Sequence, residues 1–272
     1  MKKVITLFTT LALLLSLLAI GASAEEKSTS VQTTLDTAYV TVAVKGALVA
    51  VQVPVVLDDY DNDGALTVND ALYGLHEKSY EGGAAAGYAS YQSDYGLSMS
   101  KLWGDESGMF GYYHNNKPCQ SLSDPIGQGD SVAAFVYASA DWSDLYTYFD
   151  REVRTVDPGD EITLTLMAAG YDENWNPISY PVEGATLTLD GEKTTYVTDA
   201  QGKVTFSLQE AGSHVVSAEY SKATIVPPAC AVAITSPEKS GCKAVAGSAT
   251  GLVTLSGFVI CAICTKTGRK ES

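Results

Sequence analysis

The sequence predicts a mainly β protein: an α+β domain with one main helix, an antiparallel β-sandwich, and a hydrophobic segment at each end. Three observations carry this. Short runs rich in Val, Thr and Tyr alternate apolar and polar residues, the signature of half-buried strands. Only one stretch, beginning at Val68, shows the i, i+3, i+4, i+7 spacing of an amphipathic helix. An uncharged run from Ala244 to Thr265 is long enough to span a bilayer, which takes roughly 20 residues.

The N-terminus comes first. Lys2 and Lys3, an apolar run from Leu11 to Ile20, and Ala22-Ser23-Ala24 follow the order of a secretory leader. Residues 1–24 are therefore expected to be removed after Ala24. Residues 244–265 are expected to form a transmembrane helix. Lys266, Arg269 and Lys270 follow it, so residues 266–272 are expected to be a cytoplasmic tail. The expected location is a single-pass cell-membrane protein with its bulk outside.

The charge narrows the partners. Of 17 basic and 32 acidic residues, 11 and 31 lie between Glu25 and Cys242, a net of about −20. Such a surface repels phosphate backbones and anionic headgroups and is compatible with cations, so no nucleic-acid partner is expected. Cys119 and Cys230 lie between the end segments, where they either pair or stay free.

In the first domain, Tyr39–Val44 and Ala50–Val53 read as a hairpin. The run Asp59-Tyr-Asp61-Asn-Asp63-Gly64-Ala65-Leu66-Thr67-Val68-Asn69-Asp70 follows. It has the spacing of a calcium loop. Asp59, Asp61 and Asp63 project into one space, Gly64 permits the turn, Ala65 offers a carbonyl, Thr67 stands at the ninth place, and Asp70 closes the ring. Calcium takes six to eight oxygens, and this spacing gathers them in a dozen residues. A structural Ca2+ is the expected cofactor. Val68, Ala71, Leu72 and Leu75 then place a helix immediately after the loop, ending near Gly82-Gly83. The loop resembles that of dockerin modules, which also close on Asp. Dockerins carry two such loops and this chain carries one, which argues against cohesin binding.

The run "GYYHNNKPCQSLSDPIGQGDSVAAFVY", with "TVNDAL" on the helix, resembles the transcobalamin C-terminal-like domain. That is a β-grasp-type module of unknown function in bacterial surface proteins. The resemblance covers residues 36–150 and implies a ligand- or partner-binding face. Tyr88, Tyr91, Tyr95, Trp103, Tyr112 and Tyr113 are candidates for it, though aromatic residues more often serve packing.

Val156-Asp-Pro-Gly-Asp160 is a turn and marks the expected boundary. Five alternating runs follow: Ile162–Leu166, Ala185–Leu189, Thr194–Val197, Val204–Leu208 and His214–Ala218. Asp190-Gly191, Asp199–Gly202 and Ala211-Gly212 separate them as turns, a sandwich pattern. The run "PVEGATLTLDGEKTTYVTDAQGKVTFSL" resembles bacterial immunoglobulin-like repeats, which implies a spacer over residues 155–234.

Catalytic signatures are missing from the sequence. Three His stand far apart at 76, 114 and 214, and there is no nucleophile elbow, phosphate loop or zinc pattern. A non-enzyme is expected. The leading reading is a calcium-binding surface protein for an extracellular ligand or surface partner. A capture protein for a small, corrinoid-like molecule and a plain structural spacer are the alternatives.

Overall fold

The computed structural model describes residues 36–235. The expected leader, anchor and tail, with Cys242, Cys261 and Cys264, lie outside the described residues. No described helix is long and apolar enough to cross a membrane.

The described chain is mainly β. It begins with the expected hairpin, β1 (Thr37–Val44) and β2 (Ala47–Val56), joined antiparallel. Helix α1 (Val68–Ser79) follows, with Leu72 and Leu75 fully buried. A Leu→Ala change at such a site costs about 2–5 kcal/mol, so this apolar stripe fixes the helix to the sheet. The helix stops earlier than the Gly pair. Tyr80 turns extended, its N–H still bonded to the His76 carbonyl, and Gly83 instead starts the short helix α2 (Gly83–Gly87).

Strands β3 (Tyr88–Ser93) and β4 (Gly96–Leu102) form a separate two-stranded arm. Next come β5 (Phe110–His114), β6 (Lys117–Pro118) and β7 (Ser131–Val136). The first sheet has the order β2-β1-β7-β5-β6, with β1 and β7 parallel. A parallel pair needs a long crossover, and α1 and the arm lie within it. The core of this half lies between the sheet and α1, around Val40, Val42, Val53, Val55, Val68 and Leu72.

The second half is a sandwich. Its strands are β8 (Leu145–Phe149), β9 (Val153–Val156), β10 (Glu161–Tyr171), β11 (Pro177–Pro181) and β12 (Thr186–Leu189). They continue with β13 (Glu192–Val197), β14 (Lys203–Ser207), β15 (Gly212–Glu219), β16 (Ile225–Val226) and β17 (Cys230–Ile234). One sheet runs β11-β10-β8-β16 with β14 on β10, and the other runs β13-β12-β15-β17-β9. Ile162, Leu164, Leu166 and Ala168 alternate inward from β10 with no exposure, as a period of two demands. All five alternating runs of the sequence lie on these strands. Residues 145–156, at the expected seam between domains, supply two sandwich strands, β8 on β10 and β9 on β17.

The two halves share packed surface. Phe135 of β7 and Tyr146 of β8 form a buried cluster with Ala43 and Val226. Val51 of β2 packs with Ala229 and Ala231. Glu152 takes hydrogen bonds from the Gln52 and Asn116 amides at 3.2 and 3.0 Å.

Candidate metal centre

The loop between β2 and α1 is held at both ends. Leu57, 5% exposed, anchors the start in the core. At the other end the Leu66 carbonyl accepts from the Ile126 N–H at 2.9 Å, and Thr67 bridges to Pro125. The first N–H groups of a helix lack partners within it. Here Val68 donates to the Asp124 carbonyl and Asn69 to the Leu122 carbonyl, so the segment 122–126 clamps the helix start.

Asp59, Asp61 and Asp63 each bring a carboxylate oxygen to one place, all within 4.8 Å of one another. The backbone shapes that convergence. Asn62 (φ 59°) and Gly64 (φ 90°) are left-handed and fold the chain back on itself. Asp59 then accepts from the Asp63 and Gly64 N–H groups at 3.0 Å each, and Asp63 accepts from the Ala65 N–H at 2.8 Å. Each pair of carboxylates at that separation repels by order 1 kcal/mol in water and more in a less polar medium. Asp61 registers the crowding: desolvation, then the charges of Asp70 and Asp63, raise its carboxyl above the ordinary range. Three hard oxygens in one acidic loop can hold a divalent cation.

Asn69 positions Asp61. Its amide donates to Asp61 Oδ2 at 2.9 Å, while its own oxygen accepts from the buried Tyr88 hydroxyl at 2.8 Å. A buried phenol thus fixes the amide orientation that holds the exposed carboxylate.

The other three loop positions are placed differently. Ala65 is exposed on the turn. Thr67 is the N-cap of α1, 1% exposed, with its hydroxyl bonded to Asp70. Asp70 is fully buried outside the carboxylate triad. Its Oδ1 accepts from the Tyr60 N–H at 2.9 Å, and its Oδ2 from the Thr67 N–H and hydroxyl at 2.9 and 2.7 Å. The pair forms a capping box, in which side chain and backbone satisfy each other's donors.

The six aromatic candidates do not share one surface. Tyr88 is 6% exposed and donates to Asn69 beside the acidic loop. Tyr91 and Tyr95 are exposed on the β3–β4 arm, Tyr95 almost wholly. Trp103 is half-buried against His76 and Tyr80. Tyr112 packs on the first core, whereas Tyr113, next on β5, stacks on Tyr146. Adjacent strand residues face opposite ways, so these two cannot serve one site. Cys119 and Cys230 are both free thiols, one half-buried and one buried, and burial pushes each up to about 12. Tyr137, Trp142, Tyr171 and Trp175 lie outside the six aromatic candidates, each beside a turn of the chain.

No family model matches the chain, and neither does any curated protein. Among solved structures it is similar to the N-terminal four Ig domains of Dscam1 isoform 4.4, at 10% identity and a TM-score of 0.23. The likeness covers 55% of this chain and 41% of that one, so this chain spans less than half of that structure's length. The sandwich is defined by its own strand pairing.

Proposed function

We propose that this chain is an exported, membrane-tethered surface protein that binds an extracellular partner and is stabilised by one Ca2+ at Asp59, Asp61 and Asp63. The carrying observation is the convergence of three carboxylate oxygens within 4.8 Å at the junction of β2 and α1. The mixed sheet with a helix in its crossover supports a β-grasp-type reading of the first half, and the two pleated layers support an immunoglobulin-like reading of the second. The role is binding, not catalysis. The ion fixes the angle at which α1 leaves the sheet. With three carboxylates from one loop, its affinity falls in the weak range of extracellular calcium modules, with Kd about 10⁻⁴–10⁻³ M.

The test is thermal melting of wild type and Asp63→Ala, each in calcium and in chelator. Calcium is expected to raise the wild-type Tm and to leave the variant unmoved. Equal shifts in both proteins would refute the site.

A further inference from the structure

The three tryptophans all sit at positive φ: Trp103 at 51°, Trp142 at 64° and Trp175 at 62°. A left-handed backbone costs an L-residue roughly 1–2 kcal/mol, and a bulky residue there is an outlier. For Trp103 local packing supplies a reason. Its N–H donates to His76 Nε2 at 3.1 Å, and its ring meets Tyr80 edge-on with centroids 5.3 Å apart.

The other two tryptophans each meet a single tyrosine ring and stay largely in water. Trp142 is 51% exposed and Trp175 81%. Both close a tight turn in the same way. The Trp142 N–H donates to the Ser139 carbonyl at 3.2 Å and the Trp175 N–H to the Asp172 carbonyl at 3.0 Å. Trp175 is the fourth of the five residues between β10 and β11, in a left-handed slot that ordinarily takes Gly. Two turns thus carry an indole at strained backbone and leave it in water. Residues held in strained backbone cluster at active sites, ligand clamps and switch regions.

The rings belong to one arc. Trp142 packs on Tyr137 at 5.3 Å, and Trp175 on Tyr171 at 6.1 Å. Tyr137 packs on Phe135 with centroids 5.0 Å apart, and Ala169, on the same face of β10 as Tyr171, packs on the same cluster, so the arc crosses from the first sheet to the sandwich hairpin. Burial raises the Tyr137 phenol, Asp144 adds to this, and Tyr171 is close enough to contribute as well. Tyr171 acts likewise on Tyr113, after burial and Tyr137.

Charge selects the partner. Asp141 precedes Trp142, and Glu173 lies two residues before Trp175, both exposed. Neither ring-bearing segment holds a Lys or Arg: there is none from 118 to 150 or from 155 to 192. Carboxylates only accept hydrogen bonds, while guanidinium and ammonium groups only donate them. An indole face attracts the same cations, more strongly than Tyr or Phe. Anionic partners are repelled by the acidic surface.

We propose that Trp142, Tyr137, Tyr171 and Trp175, flanked by Asp141 and Glu173, form a docking surface for a basic polypeptide segment, with Arg or Lys side chains laid on the indoles. This gives a partner class to the binding role proposed above and needs nothing from the calcium loop. The calcium test reads Tm against ion, whereas the test below reads peptide capture, so either can fail alone.

The experiment titrates the full-length chain, in nonionic detergent, into a labelled oligo-arginine peptide and follows anisotropy. Wild type is compared with the double variant Trp142→Asn, Trp175→Asn. Asn tolerates left-handed backbone and keeps the net charge, so general attraction to an acidic protein is unchanged. The double variant is expected to bind at least about tenfold more weakly, with a Tm equal to or above that of wild type. Undiminished binding would reduce the effect to bulk acidity and overturn the proposal. So would a fall in Tm, which would make the indoles packing groups. Wild type that ignores the peptide but binds a neutral oligosaccharide such as cellohexaose would equally overturn it.

Discussion

The Tyr113 ring lies against that of Tyr146, with centroids 3.7 Å apart and planes 11° from parallel. Tyr113 belongs to the first sheet and Tyr146 to the sandwich, so the stack joins the two halves. Tyr146 is 6% exposed, packs on Phe135 at 5.7 Å, and donates its hydroxyl to Asn116 Oδ1 at 2.8 Å. Asn116 in turn holds Glu152. Tyr146→Ala is therefore expected to cost about 3–5 kcal/mol, the range for a large buried ring. It should also split the melt in two, because the stack couples the halves. Tyr146→Phe keeps the ring and should cost only about 1–2 kcal/mol, for the carbonyl left without a donor. Scanning calorimetry checks both; a single unshifted transition in Tyr146→Ala would contradict the coupling.

Asp70 and Asp61 should separate folding from ion binding. Asp70 accepts three hydrogen bonds with no exposure, so Asp70→Ala removes its half of the capping box and strands the Tyr60 and Thr67 donors. The expected loss is about 2–4 kcal/mol in calcium and in chelator alike. Asp61 is exposed and crowded by like charge. Asp61→Asn should leave stability in chelator within about 0.5 kcal/mol of wild type, as for most surface changes, while abolishing the gain from calcium. Urea melts of both variants in both buffers decide the matter.

Stability should fall on both sides of an optimum set by two histidines. His76 is fully buried. Its Nδ1–H donates to the Leu72 carbonyl and its Nε2 accepts from the Trp103 N–H, which fixes the neutral ring. Burial lowers it from 6.5 to about 4, against the smaller opposite effect of the Leu72 bond. A depressed pKa stabilises above the unfolded value, so this contribution is whole above pH 6.5 and lost as pH falls toward 4. Its size is roughly 3 kcal/mol. His214 behaves oppositely. The hydrogen bond to Asp190 raises it, so its contribution is whole below pH 6.5 and lost as pH rises through the elevated value. Asp105, held to about 2 first by its bond to Lys45, loses its share only below its ordinary value of 3.8. Urea midpoints between pH 4 and 9 should trace this arch. A midpoint constant from pH 6.5 to 4 would contradict the assignment for His76.

Much of this architecture is legible because many strands keep one face wet. Ile162, Leu164 and Leu166 alternate with exposed or half-buried neighbours, so period two appears directly in the letters. Strand β17 shows nothing of the kind. Cys230, Ala231 and Val232 are all buried, and a run buried on both sides has no period to read. The period of Leu145–Phe149 is hard to read because its outer face, Tyr146 and Tyr148, is aromatic where it meets the other half. In the acidic loop, Thr67-x-x-Asp70 fits a calcium ring and a capping box equally, since both need oxygen at the same spacing. Only the direction of the Asp70 carboxylate separates the two. The mutual distances of Asp59, Asp61 and Asp63, by contrast, follow from the spacing once Gly64 turns the chain.

Gly202 and Gly191 test how far the turn letters dictate the sandwich. Both are left-handed, at φ 72° and 87°. Gly202 closes the turn from Asp199, whose Oδ1 accepts from the Gln201 and Lys203 N–H groups at 2.9 and 2.8 Å. The Gly202 carbonyl accepts from the Leu166 N–H at 2.8 Å, tying this turn to β10. A Cβ on Gly202 would press into the Leu166 carbonyl oxygen, which is backbone and cannot swing aside. At Gly191 a Cβ would meet nothing within 4 Å. Gly191→Ala therefore carries only the left-handed penalty, about 1 kcal/mol. Gly202→Ala adds the displacement of β10 from the turn and should cost about 3 kcal/mol or more. Equal losses in chemical denaturation would mean that the Asp199–Gly202 turn is held by its φ alone. The contact with β10 would then contribute nothing to the fold.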